Sequence, residues 1–405
     1  MELKLYSEFG TLKSVFMLRP GSEIERLTPD NTSILLFEDV PYLEAMQEEH
    51  DEYTALIKSV TDARVFQIRQ LLLEILFEDR LRIKLLEQVM KDVPDPRILD
   101  MILGRYSRAE TVNLLIAGLT AGELKRKTGN SLRADIPANQ YLITPSPNFY
   151  FMRDPSAVIQ AGVISSNMKY SGRQLESVIL KMIFENHPEF SENYSQVFPS
   201  ARRTGRIPTI EGGDIVVISD KVLAIGCSER TESAAIQEVA RNVLGQGPVE
   251  RVYEVKLPRQ RNYMHLDTVF SIIDENLILT YSDAMEDIHE TAVYRLEKGE
   301  SGKGTIRKEN INESLTSILK KEIRYLEIVE TGYGRPEIAL KEQWYDGANV
   351  LAVGPRKVIS YDRNKLTNRA MRDRGVDVIE IRSSELSRGL GGPRCMTLPL
   401  ERARI

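Results

Sequence analysis

The chain has 405 residues, 42% of them hydrophobic and 28% charged, with a formal net charge of −5. That length suits two to three domains or one large domain with an insertion, and the composition supports a sizeable buried core. The weakly acidic balance lacks the basic footprint of a nucleic-acid binder, and no polybasic run points to a membrane surface.

In chain order, the first strand-like run is Thr11 to Leu18. Residues 64–136 follow a different pattern. Val65, Phe66, Ile68, Leu71 and Leu72 open a helix-like stretch that continues through Leu81 to Met90, and Pro94 and Pro96 punctuate it. Ile98 to Leu103 and Thr111 to Leu119 read as short helices, and Thr120 with Glu123 has capping-box spacing. An all-helical insertion of four or five helices is therefore expected over 64–136, between catalytic segments 1–63 and 137–405.

Four hairpin-like segments follow, starting at Asp154, Asp214, Asp267 and Asn349. Each is rich in Val and Ile, and three turn at Ser219-Asp220, Asp274-Glu275-Asn276 and Gly354-Pro355. Between them, Glu232 to Leu244 has its apolar residues at helical spacing, and Arg251 to Leu257 and Val376 to Ile381 read as further strands. The unit is roughly ββαβ, used about five times. Radial closure as a propeller and an ordinary mixed α/β sheet both fit this pattern.

The start of the chain carries no signal-peptide pattern, and no apolar run approaches the ~18 residues of a membrane span. Two cysteines, Cys227 and Cys395, exclude a disulfide scaffold and point to a reducing compartment, the cytoplasm. Four histidines (His50, His187, His265 and His289), without C-x-x-C or H-E-x-x-H, make an intrachain metal site an unattractive reading.

Polar residues gather where the hairpins begin: Asn148 and Asp154, Glu211 to Asp214, His265 to Thr268, and Gly391 to Met396. Taken singly, each has an ordinary reading. Cys227 reads as a small buried hydrophobe, His265 as a core histidine or a functional one, and Asp154, Asp267 and Glu211 as turn residues. Cys395 follows Gly-Gly-Pro and Arg394, a neighbouring cation that would stabilise a thiolate, so nucleophile and structural cysteine both stand. As a set, a cysteine, a histidine and several carboxylates suit thiol chemistry on a cationic substrate.

At these residues the chain resembles the arginine deiminase family of guanidine-modifying enzymes over essentially its whole length. The matching runs are Phe37 to Tyr42, Phe151 to Asp154, Glu211 to Asp214, Ser228 to Thr231, His265 to Thr268 and Gly392 to Met396. The resemblance implies a five-bladed pseudo-symmetric α/β propeller of ββαβ units with the helical insertion. It implies a hydrolase acting on C–N bonds of amidines, converting L-arginine to L-citrulline and ammonia through a covalent cysteine thiouronium. Cys395 is then the nucleophile and His265 the general acid and base. Asp154 and Asp267 grip the guanidinium, and Glu211 is a further carboxylate beside it. Asn148, Arg173 and Arg230 fall where the family binds the substrate α-carboxylate. No metal or organic cofactor is implied, no nucleic acid or membrane partner, and a homodimer or higher homo-oligomer is expected. One departure stands out: Leu390 occupies a position where many members carry an arginine, and Arg394 is the nearest candidate substitute.

Three rivals accompany this reading. An agmatine deiminase would have no use for Arg173 and Arg230. An amidinotransferase would pass the same intermediate to an amine. A catalytically silent arginine-binding protein would not need the intact cysteine, histidine and carboxylate set.

Overall fold

The expected apolar runs become strands wherever a branched side chain can be buried on a pleated surface. The computed structural model describes all residues except 94, 130–131, 133–135, 202–203, 288–289 and 299–303. Pro94, expected to punctuate the helical segment, and His289, weighed as a metal ligand, lie outside the described residues.

The fold is α/β, and five units repeat one hydrogen-bonding pattern: an antiparallel pair, a crossover, then a third strand parallel to the second. In the second unit Ser156–Ile159 pairs with Gly162–Ser165, which pairs with Gln196–Phe198 beyond the helix Gln174–Asn186. In the third, Ile215–Val217, Val222–Cys227 and Arg251–Lys256 repeat this around the helix Ser233–Val243. The fourth uses Phe270–Asp274, Leu277–Thr280 and Glu327–Glu330. The fifth uses Leu351–Gly354, Lys357–Tyr361 and Asp377–Ile381 around the helix Lys365–Arg372. Parallel neighbours require such a crossover, which is why each unit contains a helix. In Ser233–Val243 the residues Ala235, Ile236, Val239, Ala240 and Val243 are buried, one stripe at helical spacing.

The first unit is completed from the far end of the chain. Leu12–Met17 pairs antiparallel with Leu398–Arg402 and parallel with Arg64–Gln67, beyond the helix Leu43–Thr61. This corrects one expectation: Val65 and Phe66 lie in a strand, and the first helix of the insertion starts at Ile68. A β-branched and an aromatic residue next to an available strand edge favour pairing over helix. A second feature was not anticipated. The hairpin Thr291–Lys298 and Gly304–Ile311 extends the third sheet to five strands. Its outer strand carries Arg307, Lys308 and Glu309, charges that discourage edge-to-edge pairing. Among the described residues the strands form separate small sheets, with no hydrogen-bonded ladder running from one unit to the next.

Residues 68–128 supply five helices: Ile68–Ile75, Asp79–Val89, Arg97–Arg105, Arg108–Ala117 and Ala121–Thr128. Their apolar faces, including Leu72, Leu85 and Leu115, join Val163 and Ile164 of the second unit in one buried cluster. Capping boxes start the last two helices, Ser107 with Glu110 and Thr120 with Glu123. Ser107→Ala and Thr120→Ala should each cost about 1 kcal/mol of stability. Urea denaturation should show a lower midpoint at unchanged slope; an unaltered midpoint in both would deny the caps a stabilising role.

Candidate active site

The cysteine, histidine and carboxylate candidates sit at the entrance to the first strand of their units, whereas Arg173 and Arg230 follow the second strand of theirs. Asp154 precedes Ser156, Glu211 to Asp214 precede Ile215, and His265 and Asp267 precede Phe270. Asn349 precedes Leu351, and Cys395 precedes Leu398. Five hydrogen bonds join these entrances in a ring. Arg153 N donates to Cys395 O (3.0 Å), and Gly212 N to Asp154 O (2.8 Å). Leu266 N donates to Asp214 Oδ1 (3.0 Å), and Asn349 Nδ2 to Asp267 O (3.1 Å). Cys395 N donates to Asn349 Oδ1 (3.0 Å), closing the circle. Glycine is needed within it: a Cβ on Gly213 would lie 2.6 Å from His265 Nδ1 and 2.9 Å from Asp154 Oδ1. The cysteine loop is braced from below. Tyr53 Oη donates to Pro393 O (2.6 Å), and Tyr361 Oη to Gly391 O (2.7 Å).

Cys395, His265, Asp154, Asp267 and Glu211 come together, all buried. Each carboxylate is held by an arginine of the protein. Arg173 Nη1 donates to Asp154 Oδ2 (2.6 Å) and Arg394 Nη1 to Asp267 Oδ2 (2.6 Å). Glu211 Oε2 meets Arg230 Nη1 at 3.2 Å and His265 Nε2 at 2.8 Å. The opposite oxygens, Oδ1 of Asp154 and Oδ1 of Asp267, are buried without a hydrogen-bond partner among the described residues. Two such acceptors are costly unless a donor meets them. Cys395 Sγ lies 3.5 Å from Asp267 Oδ2, close enough to donate to it.

Electrostatics assign protonation states. Burial, then Asp267, Asp154 and Asp346, push the Cys395 thiol well above its ordinary range. Arg394 does favour the thiolate, as expected of an adjacent cation, but burial and the three aspartates outweigh it. Its guanidinium is committed to Asp267, to Glu8 (3.0 Å) and to Ile215 O (2.8 Å). Arg394 is therefore turned inward and does not stand in for an arginine at position 390. Burial disfavours a charged His265, but Asp154, Glu211 and Asp214 outweigh it and raise the imidazole to about 9. Burial raises Asp214 and Glu176 each to about 7.

The residues expected at the substrate carboxylate line the same cavity as Cys395 and His265. Asn148 Nδ2 donates to Leu35 O (2.6 Å). Arg173 is nearly saturated: besides Asp154 it serves Glu176 and Asn148 O. Arg230 is freer, stacked 4.7 Å from the Tyr170 ring centre, with its buried Nε unpartnered among the described residues. Leu390 lies at the cavity wall in the left-handed region (φ 55°), so an apolar group stands where a polar contact was in question. Cys227 is half-buried in a strand, and burial lifts its thiol to about 11. Sequence reasoning missed Glu8, Glu176 and Asn349. Asn349 had a usable signal, since it opens the fifth hairpin where the other units carry their functional residue. Asp154, Glu211 and His265 each bring a donor atom within 4.8 Å of one another. They fit a metal poorly, because Arg173 and Arg230 hold the carboxylates and His265 keeps a proton that a ligand must lose.

The family profile for arginine deiminase matches residues 33–402. The chain belongs to the arginine deiminase family. The arginine deiminase of Listeria welshimeri is 35% identical over 420 residues, an alignment covering 100% of this chain and 99% of that one. Among solved structures, the N-terminal domain of ArgZ, an arginine dihydrolase from cyanobacteria, matches with a TM-score of 0.56 at 14% identity. That alignment covers 96% of this chain and 97% of that domain. AgrE matches with a TM-score of 0.56 at 13% identity, covering 97% of this chain but 40% of the longer AgrE chain. At such identities the structural likeness is one of fold. No helix of the described residues is long and apolar enough to cross a membrane.

The raised His265 makes stability depend on pH in this arginine deiminase family member. Its folded value of about 9 exceeds the ordinary 6.5, so proton binding favours the folded state. That contribution is complete below about pH 6.5 and is lost as pH rises through about 9. Urea midpoints of the wild type should fall more over this interval than those of His265→Gln; parallel pH profiles would contradict the raised value.

Proposed function

We propose that the site hydrolyses L-arginine by the division of labour that follows. The observation carrying it is the pair of unpartnered buried oxygens, one on Asp154 and one on Asp267, beside the Cys395 thiol. A guanidinium is planar, permanently charged and rich in N–H donors, so it satisfies both oxygens through charge-assisted hydrogen bonds. It also offsets the negative charge that keeps the thiol protonated. Cys395 therefore ionises as substrate binds, one proton leaving to solvent, and the held carbon faces the thiolate.

Attack forms the S–C bond and a tetrahedral carbon. His265, still protonated at neutral pH, gives its proton to the departing nitrogen, and ammonia leaves a thiouronium on Cys395. His265, now neutral, takes a proton from water. The hydroxyl adds to the same carbon, the C–S bond breaks, and the hydroxyl proton passes to the departing sulfur, so that L-citrulline and the Cys395 thiol are released. Glu211, held ionised by Arg230 and by the hydrogen bond from His265, steadies the imidazolium form.

Within this proposal Arg230, Arg173 and Asn148 serve the amino-acid end of the substrate. Arg230 has the free donor, and Arg173 acts chiefly by holding Asp154. The ring of entrance hydrogen bonds supports reading the five units as blades of a propeller, with the helices of 68–128 as an appended helical domain. The proposal also includes a reducing, cytoplasmic setting that keeps Cys395 a thiol, and a homodimer or higher homo-oligomer, which light scattering would size.

Colorimetric citrulline detection after incubation with L-arginine tests the reaction. Cys395→Ser should yield none while remaining folded, because an unactivated alcohol is a far poorer nucleophile. Cys227→Ser should retain most activity. Asp154→Asn and Asp267→Asn should each lower kcat/KM at least ~30-fold, through loss of a buried charge pair with substrate. Near-normal kinetics in either variant would remove that residue from the guanidinium clamp.

A further inference from the structure

Asp214 is buried beside His265 yet takes no part in the proposed reaction. Its two oxygens serve different segments of the chain. Oδ1 accepts from Leu266 N (3.0 Å), the amide that lies between His265 and Asp267. Oδ2 accepts from Ser228 Oγ (2.6 Å). That hydroxyl in turn accepts from Arg230 N (3.0 Å) and Thr231 N (3.1 Å). Thr231 Oγ1 accepts from Glu211 N (3.1 Å), so the chain of contacts returns to the strand entrance that carries Asp214. The fit is close: a Cβ on Gly226 would lie 2.2 Å from Asp214 Oδ1.

The donors fix the polarity of this chain. A hydroxyl has one proton and two lone pairs, and the amides of Arg230 and Thr231 take both lone pairs. The Ser228 proton therefore goes to Asp214. With Leu266 N donating on the other side, both carboxylate oxygens are acceptors, an arrangement that favours the ionised form. Burial raises Asp214 to about 7, and His265 and the hydrogen bonds oppose that rise. An asparagine could not take its place, because its NH2 would face a donor whichever way it turned. We propose that Asp214 is a positioning residue with two arms. Oδ1 sets the backbone between the acid His265 and the clamp residue Asp267. Oδ2, through Ser228, sets Arg230 for the substrate α-carboxylate. This inference rests on the arginine-hydrolysing reading and deepens it, by referring the chemistry and the recognition of the amino-acid end to one buried carboxylate.

Steady-state kinetics on L-arginine separate the arms. Ser228→Ala removes the second arm alone, so it should raise KM at least ~5-fold, the worth of about one hydrogen bond, with kcat near wild type. Ser228→Thr, which keeps the hydroxyl, should restore KM. Asp214→Asn disturbs both arms and removes an anion beside His265. It should lower kcat at least ~10-fold. The His265 imidazole, followed by NMR in that variant, should titrate at least ~0.5 pH unit below its wild-type value. Asp154 and Glu211 also face that imidazole, and they stay in place. A role confined to folding would lower the urea midpoint of both variants and leave kcat, KM and the His265 titration of the folded protein near wild type. That result, or a Ser228→Ala change in kcat as large as its change in KM, overturns the proposal. If Asp214→Asn does not fold, the two Ser228 variants decide the matter. Failure of the underlying reading would look different, since wild-type protein would then release no citrulline from L-arginine.

Discussion

A site that grips a cation with buried carboxylates must keep those carboxylates ionised in the absence of that cation. Here the solution is to share each one. Asp154 gives Oδ2 to Arg173 and leaves Oδ1 without a hydrogen bond, 3.6 Å from His265 Nδ1; Asp267 gives Oδ2 to Arg394 and leaves Oδ1 without one among the described residues. The internal arginine gives the buried carboxylate an ion-pair partner that an isolated buried acid would lack. The other oxygen remains an acceptor without a hydrogen bond among the described residues. In the proposed reaction, affinity for a guanidinium and tolerance of its absence come from opposite oxygens of the same side chain.

The same surplus of negative charge governs the thiol. With Asp267, Asp154 and Asp346 around it, Cys395 rests protonated, which protects an otherwise reactive nucleophile. His265 is also shifted upward, by the carboxylates around it, and rests charged. Nucleophile and acid are therefore held in the states that a cationic substrate must complete. A neutral molecule entering the cavity would leave the thiol unactivated, so charge selection precedes shape selection.

Geometry follows from the entrances of the five units. The sheets themselves are separate, and what joins them on the functional side is the ring from Arg153 through Asp214, Asn349 and Cys395. These residues therefore also serve as connectors: Asp154 and Asp267 accept ring bonds on their backbone oxygens while their side chains pair with Arg173 and Arg394. Glu8 lies behind this ring and offsets Arg394 and Arg153. Burial and those arginines act on it in opposite senses, the arginines prevail, and its carboxyl is held down to about 2.

Much of this was legible in the sequence. Runs of Val and Ile, turn residues and helical spacing report local preference, and they located the hairpins and helices because burial of one face reinforces that preference. The entrance residues were legible for the same reason: a chemically distinctive group recurs where each hairpin begins. What stayed hidden was every fact that depends on distance across the chain. Leu398–Arg402 completes the sheet of Leu12–Met17, and nothing in either segment names its partner. Val65 and Phe66 are a strand because that sheet offers an edge. Arg394 neighbours Cys395 and favours its thiolate, yet burial and the aspartates gathered from Asp154, Asp267 and Asp346 outweigh it, a balance adjacency could not show. Sequence determined which groups were available and where the chain would turn. Only the tertiary structure decided which charges meet, because electrostatic energy depends on separation and burial, and neither is a property of sequence position.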